Sequence, residues 1–181
     1  MEKTLEGTLH VTGRNLSDII WRGLGWGAIG GLAGTLTMDL VLMGALAAIG
    51  SPALTCFSIV GNTVARFFSI QSVEATRAIL MGVATHYIVG PVIGAIYGMA
   101  VARMKALRVH TLKKSILVAI LYVEILSQPL LATTPILLKM AAAATLQWYG
   151  GSFLMHMIAG VVLGAVVGLG LRLRRLTQRR F

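Results

Sequence analysis

Four stretches of this chain are each apolar over about 20 residues, the length that an α-helix needs to cross the hydrocarbon core of a bilayer. They cover residues 23–49, 78–102, 115–133 and 152–171. Only 12% of the residues are charged, about half the share found in soluble globular domains. The sequence therefore predicts an all-α integral membrane protein, a four-transmembrane-helix bundle between an N-terminal arm, 1–22, and a basic tail, 172–181.

The basic residues are distributed unevenly around these spans. All but three of the 16 Lys and Arg residues fall in the arm, in the loop between the second and third spans, or in the tail; the exceptions are Arg66, Arg77 and Lys139. The positive-inside rule then predicts a multi-pass protein of the inner (plasma) membrane with both termini in the cytoplasm. Its net charge of +10 favours contact with anionic lipid headgroups, and no nucleic-acid-binding module accompanies it.

The connections on the outer side have a pattern of their own. Residues 51–77 interleave apolar and polar side chains at helical spacing, which predicts a short helix lying in the membrane interface. Residues 136–145, after Pro135, predict a second segment of this kind. Both halves of the chain thus read as span, external segment, span, so we expect a parallel duplication of a two-helix hairpin.

Two histidines begin matching rows of small residues. His86 and His156 are each followed by three glycines at intervals of four, and the first span carries a similar row. Because small residues let helices approach closely in lipid, these rows predict helix packing. The candidate packing residues are Gly27, Gly31, Gly90, Gly94, Gly98, Gly160, Gly164 and Gly168. An ionisable side chain at membrane depth is itself a functional hypothesis, so the histidines are the first candidate site residues.

Two acids accompany the histidines. With a rise of 1.5 Å per residue, Asp39 and Glu124 lie about 15 Å below the outer ends of their helices, and His86 lies at a similar depth. His156 is closer to the surface. All four side chains are therefore expected in the outer half of the bundle.

Several roles fit these four residues. Two carboxylates and two imidazoles suit a divalent metal, with His86, His156, Asp39 and Glu124 as ligands. Alternatively, the two histidines alone could serve as axial ligands of haem b. The same residues could relay protons or ions in a minimal channel or transporter. The plainest alternative is that each acid pairs with a histidine and fixes the helix register.

Dispersed positions in the last three spans carry a resemblance to a known family. They are Thr85-His86 with Ile88, Val92, Tyr97 and Ala100, then Pro129-Leu130, Thr134-Pro135, Trp148-Tyr149, His156 and the arginine-rich end. With these, the chain resembles the YagU-type small inner-membrane proteins of bacteria. The resemblance implies a four-helix inner-membrane protein in which both histidines are shared features.

The sequence favours one function over the others. The sequence has no nucleophile elbow, phosphate loop or zinc-protease motif, so we do not expect an enzyme. The single cysteine, Cys56, excludes an internal disulfide. The leading hypothesis is an accessory or assembly subunit that packs through its glycine faces, with other membrane subunits or with itself. It would hold a metal or haem b at the intramembrane site. A proton or ion channel is the alternative.

Overall fold

A computed structural model describes residues 2–104 and 111–177, with side chains described for 17–104 and 111–172, and this part of the chain is helical without strands. The helices are α1 (Glu2–Ala48), α2 (Thr55–Phe67), α3 (Ala75–Arg103), α4 (Leu112–Leu137) and α5 (Ala142–Thr177). Four helical segments are long and apolar enough to cross a membrane: Ser17–Ala48, Ala75–Arg103, Leu112–Leu137 and Ala142–Arg172. The predicted four-helix membrane bundle is confirmed.

The spanning helices pack side by side in the order α3, α1, α5, α4. α1 therefore lies between α3 and α5. α3 and α4 barely touch along most of their length. Two tyrosines bridge them, since Tyr97 donates to the carbonyl of Ser115 at 2.9 Å and Tyr122 to that of Ile93 at 2.9 Å. At the other end, α2 packs on α3 and reaches α4. We call that end of the bundle the α2 end.

Close approach between α1 and α3 depends on glycines from both helices. A Cβ added at Gly27 would meet the backbone of Gly94, and one added at Gly31 would meet that of Gly90. α5 approaches α4 in a related way, with glycines on one helix only. Gly160 and Gly164 of α5 lie against the Cα atoms of Ile120 and Ile116, and Gly168 lies against Ser115. The contact of α3 with α1 also includes Gly98, which lies against Gly23.

Local chemistry defines the ends of three helices. Glu74 caps α3, because its carboxylate accepts from the backbone N–H groups of Thr76 at 3.0 Å and Arg77 at 3.3 Å. Thr111 caps α4 through the N–H of Lys114. Gly50 follows α1 with φ of +72°, a left-handed conformation that glycine adopts without strain.

The segment after the third span differs from the sequence expectation. Residues 136–145 were expected to form a second interfacial segment, but α4 continues through Pro135 to Leu137 and α5 begins at Ala142. Pro135 has no N–H for the carbonyl of Leu131, and the indole Nε1 of Trp148 donates to that oxygen at 3.2 Å instead. The alanines of 141–144 favour helix, so only a short turn remains between the spans.

Two other segments can be compared with the sequence expectation. Helix α1 is continuous from Glu2, so the N-terminal arm, 1–22, and the first span belong to one helix. By contrast, α2 is the short helix that residues 51–77 predict, and it buries Phe57, Gly61 and Ala65. Gly61 lies against the backbone of Ala78 in α3, so α2 is held to the bundle by the same kind of close contact as the spans. The parallel duplication stays a prediction, since only the first half contains such a helix.

Candidate polar site at the α2 end

Asp39 of α1 and His86 of α3 form a buried pair. The Nδ1 atom of His86 lies 2.9 Å from Oδ1 of Asp39, and the side chains are 15% and 3% exposed. With the carboxylate accepting, Nδ1 of the ring carries a proton, and in the neutral form of the ring the lone pair lies on Nε2. The second carboxylate oxygen, Oδ2, is buried without a hydrogen-bond partner. The Asp39–His86 pair therefore has unused bonding capacity on both residues.

Helix α2 covers this pair from one side. The ring of Phe57 meets that of His86 edge to face, with centroids 5.3 Å apart. The neighbouring Cys56 is half-buried, and desolvation together with the charge of Asp39 raises the pKa of its thiol to about 12. Cys56 is therefore a neutral thiol at physiological pH, and not a thiolate ligand. The side chain of Tyr87 also lies close enough to Asp39 to interact with it.

His156 of α5 has a backbone partner in place of an acid. Its Nδ1 lies 2.7 Å from the carbonyl oxygen of Ser152, one turn earlier in the helix. A carbonyl oxygen only accepts, so Nδ1 carries the proton here too and the lone pair again lies on Nε2. The His156 ring is close enough to His86 for the two to interact electrostatically. Both histidines thus have the same tautomer, with Nε2 unbonded within the described residues.

Glu124 of α4 lies opposite His156 but does not bond to it. The contacts of Ile116 with Gly164 and of Ile120 with Gly160 set an antiparallel register, which pairs 124 with 156. Glu124 is 9% exposed and accepts from Nε2 of Gln128 at 3.0 Å through Oε2. Its other oxygen, Oε1, is buried and has no partner.

The structure assembles part of the predicted site. Of the four predicted ligands, His86, His156, Asp39 and Glu124, only Asp39 and His86 are hydrogen-bonded to each other in the described chain. Within 2–104 and 111–177, no three or more His, Cys, Asp or Glu side chains are grouped so that they could hold a metal ion. Neither Glu124 nor His156 is hydrogen-bonded to the Asp39–His86 pair, so the four residues do not form one bonded cluster in the described chain.

Sequence reasoning missed two parts of this site. His156 bonds a backbone carbonyl, and every residue has one, so the sequence does not indicate this partner. A carbonyl four residues earlier is within reach of any histidine in a helix. The contact of Phe57 with His86 depends on how α2 folds back onto α3. By contrast, the hydrogen bond of Gln128 to Glu124 could be expected from the sequence, because Gln128 stands one turn later in the same helix.

Comparison with family models, with curated proteins and with solved structures gave no match to this chain.

Proposed function

We propose that this chain is a small, non-enzymatic membrane protein that holds a metal-centred cofactor, with haem b as the best fit, through Nε2 of His86 and His156. One observation carries the proposal. Both rings are fixed by a hydrogen bond at Nδ1, to a carboxylate in one case and to a carbonyl in the other, while Nε2 is unbonded in the described structure. Histidines that ligate metals nearly always have their second nitrogen bonded in this way.

The number of available ligands favours haem over a bare ion. A zinc site takes three or four protein ligands, and no such group is present among the described residues. Haem supplies four nitrogens itself and requires only two axial ligands from the protein. The neutral thiol of Cys56 does not compete for the metal.

Asp39 would tune the cofactor through His86. A carboxylate that accepts from Nδ1 makes the imidazole a stronger donor at Nε2, which stabilises the oxidised metal. The carbonyl of Ser152 does this more weakly for His156, because it carries no full charge. The two axial positions would therefore be unequal, although both ligands are histidines.

A proton relay through the same four residues has less support. Asp39–His86 is the only hydrogen bond joining two of them in the part of the chain that the structure describes. The wider proposal, an accessory subunit of the bacterial inner membrane with cytoplasmic termini, depends on a contact surface for partners. Gly27, Gly31, Gly90 and Gly94 already face one another within the chain. Partners would have to use glycines with open surroundings: Gly25, Gly44, Gly150 and Gly151.

The proposal is tested by absorption spectroscopy of the full chain, produced with a haem supply and purified in detergent. We expect a Soret band that is lost in His86→Ala and in His156→Ala. Ser152→Ala is the matched control, because it keeps the carbonyl that bonds His156 and should retain the band. Asp39→Asn should bind haem about 10- to 100-fold more weakly. A colourless wild-type protein that also takes up no metal by elemental analysis would refute the cofactor.

A further inference from the structure

Helix α4 lies at one edge of the row of spans and has one side that no other helix covers. Four large apolar side chains on it are between 53% and 75% exposed, and by helical spacing the exposed Gln128 lies on the same side. We call this surface the α4 lipid face. It consists of Leu117, Leu121, Ile125, Gln128 and Ile136.

Gln128 is the polar exception on this face. It stands 9 residues before Leu137, so it lies about 14 Å along the axis from the end of the helix. One N–H of its amide donates to Glu124 at 3.0 Å, whereas the amide oxygen and the second N–H have no partner in the described residues. Beside it, Pro129 has no N–H for the carbonyl of Ile125, and no described side chain donates to that oxygen. Hydrocarbon offers no hydrogen bonds, so exposed polar groups at this depth indicate a protein partner.

A second copy of the chain has the hydrogen-bonding groups that this face lacks. A carboxamide has a donor and an acceptor side by side, so it is complementary to another carboxamide. Two copies inserted in the same direction are related by a two-fold axis along the membrane normal, which brings identical residues of two parallel α4 helices to the same depth. The spacing of 117, 121, 125 and 128 is typical of helices that pair in this way. The face has no charged side chain that would select a different partner.

We propose that the α4 lipid face is the contact surface of a homodimer, in which the two Gln128 amides form a reciprocal pair of hydrogen bonds. The second N–H of each Gln128 donates to Oε1 of Gln128 in the other copy, while the first N–H stays on Glu124. Because the amides meet only when the two helices are in register, this one polar position fixes the register of an otherwise apolar contact. The surface goes beyond the glycine faces considered above, since it contains no glycine, and it does not depend on a cofactor.

The amide pair is tested by energy transfer between donor-labelled and acceptor-labelled full-length chains in liposomes, measured against the protein-to-lipid ratio. Gln128→Leu should weaken dimerisation roughly 10-fold, because it removes two hydrogen bonds between helices. Gln147→Leu is the matched control, since it removes an exposed amide of α5 outside this face and should leave dimerisation unchanged. A wild-type protein that stays monomeric at every ratio, or equal dimerisation of Gln128→Leu and wild type, would overturn the proposal.

Gln128→Leu also removes the partner of Glu124, so the face is tested a second time by cross-linking, with the amide in place. In a Cys56→Ser background, Leu121→Cys should form a disulfide between two copies on oxidation, seen as a band of twice the mass on a non-reducing gel. Leu130→Cys is the matched control, because Leu130 is 61% exposed against 53% for Leu121 but lies on the other side of α4 by its spacing. Cross-linking that is absent at 121, or equal at both positions, would rule out this face.

Discussion

Replacing Gly94 with alanine should separate α1 from α3 and destabilise the whole bundle. The added Cβ would meet the backbone oxygen of Gly27, and it would lie 2.7 Å from Cα and 2.8 Å from N of Gly31. All three are backbone atoms, which cannot rotate out of the way. Because ordinary contacts begin at 3.4 Å and the contact with Gly31 Cα is 2.7 Å, the helices must move apart locally by at least about 0.7 Å.

The size of the effect follows from that displacement. A gap of about 0.7 Å removes a quarter to a half of each dispersion contact, on the order of 2 kcal/mol over a seam of several tens of atom pairs. The same shift applied at the Asp39–His86 pair would lengthen its 2.9 Å bond to roughly 3.6 Å, which is no longer a hydrogen bond. We therefore expect the free energy of unfolding to fall by about 2–4 kcal/mol.

The free energy of unfolding can be measured in bicelles by steric trapping or by titration with a denaturing detergent. Gly44→Ala is the matched control, because it lies on the exposed side of α1 with no atom within 4 Å of the added Cβ. Its effect should stay within about 0.5 kcal/mol. If Gly94→Ala were as stable as the wild type, or if both variants lost the same stability, close packing of α1 on α3 would not hold the bundle together.

Three further predictions concern the helix ends and α2. Since burial, above all, raises the pKa of Cys56 to about 12, iodoacetamide should not label its thiol at pH 8 until the protein is unfolded, as read by mass spectrometry. The hydrogen bond from Thr76 is the main cause that lowers the pKa of Glu74. The cap is thus intact above the pKa of an unfolded glutamate, about 4.3, and is lost as the pH falls through the lower pKa of Glu74 in the folded protein. Amide exchange at the start of α3 should therefore rise in acid, and Glu74→Gln should abolish this pH dependence. Trp148→Phe should cost about 1–2 kcal/mol, and combining it with Pro135→Ala should recover part of that loss, because the alanine N–H can bond the exposed carbonyl.

The spans were predictable because each depends on its own composition. A run of apolar residues must cross the bilayer as a helix whatever its neighbours do, and four such runs gave four helices. The boundary between α4 and α5 was not predictable from the same reasoning. There the outcome depends on Trp148, which reaches back to the carbonyl that Pro135 leaves open, and this contact exists only in the folded pair.

The sequence predicted which residues form the site better than it predicted the hydrogen bonds between them. Helical rise placed Asp39 and His86 at similar depth, and the structure pairs them. The alternative that each acid pairs with a histidine holds only for Asp39. The register sets Glu124 and His156 opposite each other, but they bond to Gln128 and to a backbone carbonyl instead. Depth along a helix follows from sequence, whereas the rotamer that selects one partner over another depends on packing.

The central place of α1 also bears on how this protein is made. α1 is synthesised before α3 and α5, yet its surface is completed by these two later helices. Until α3 is in place, the glycine row and the carboxylate of Asp39 would face lipid or another protein, at a depth where an unpaired acid is costly. α1 is thus fully enclosed only after both of these helices have been made. An insertion factor that shelters a small-residue face would act on this chain through α1.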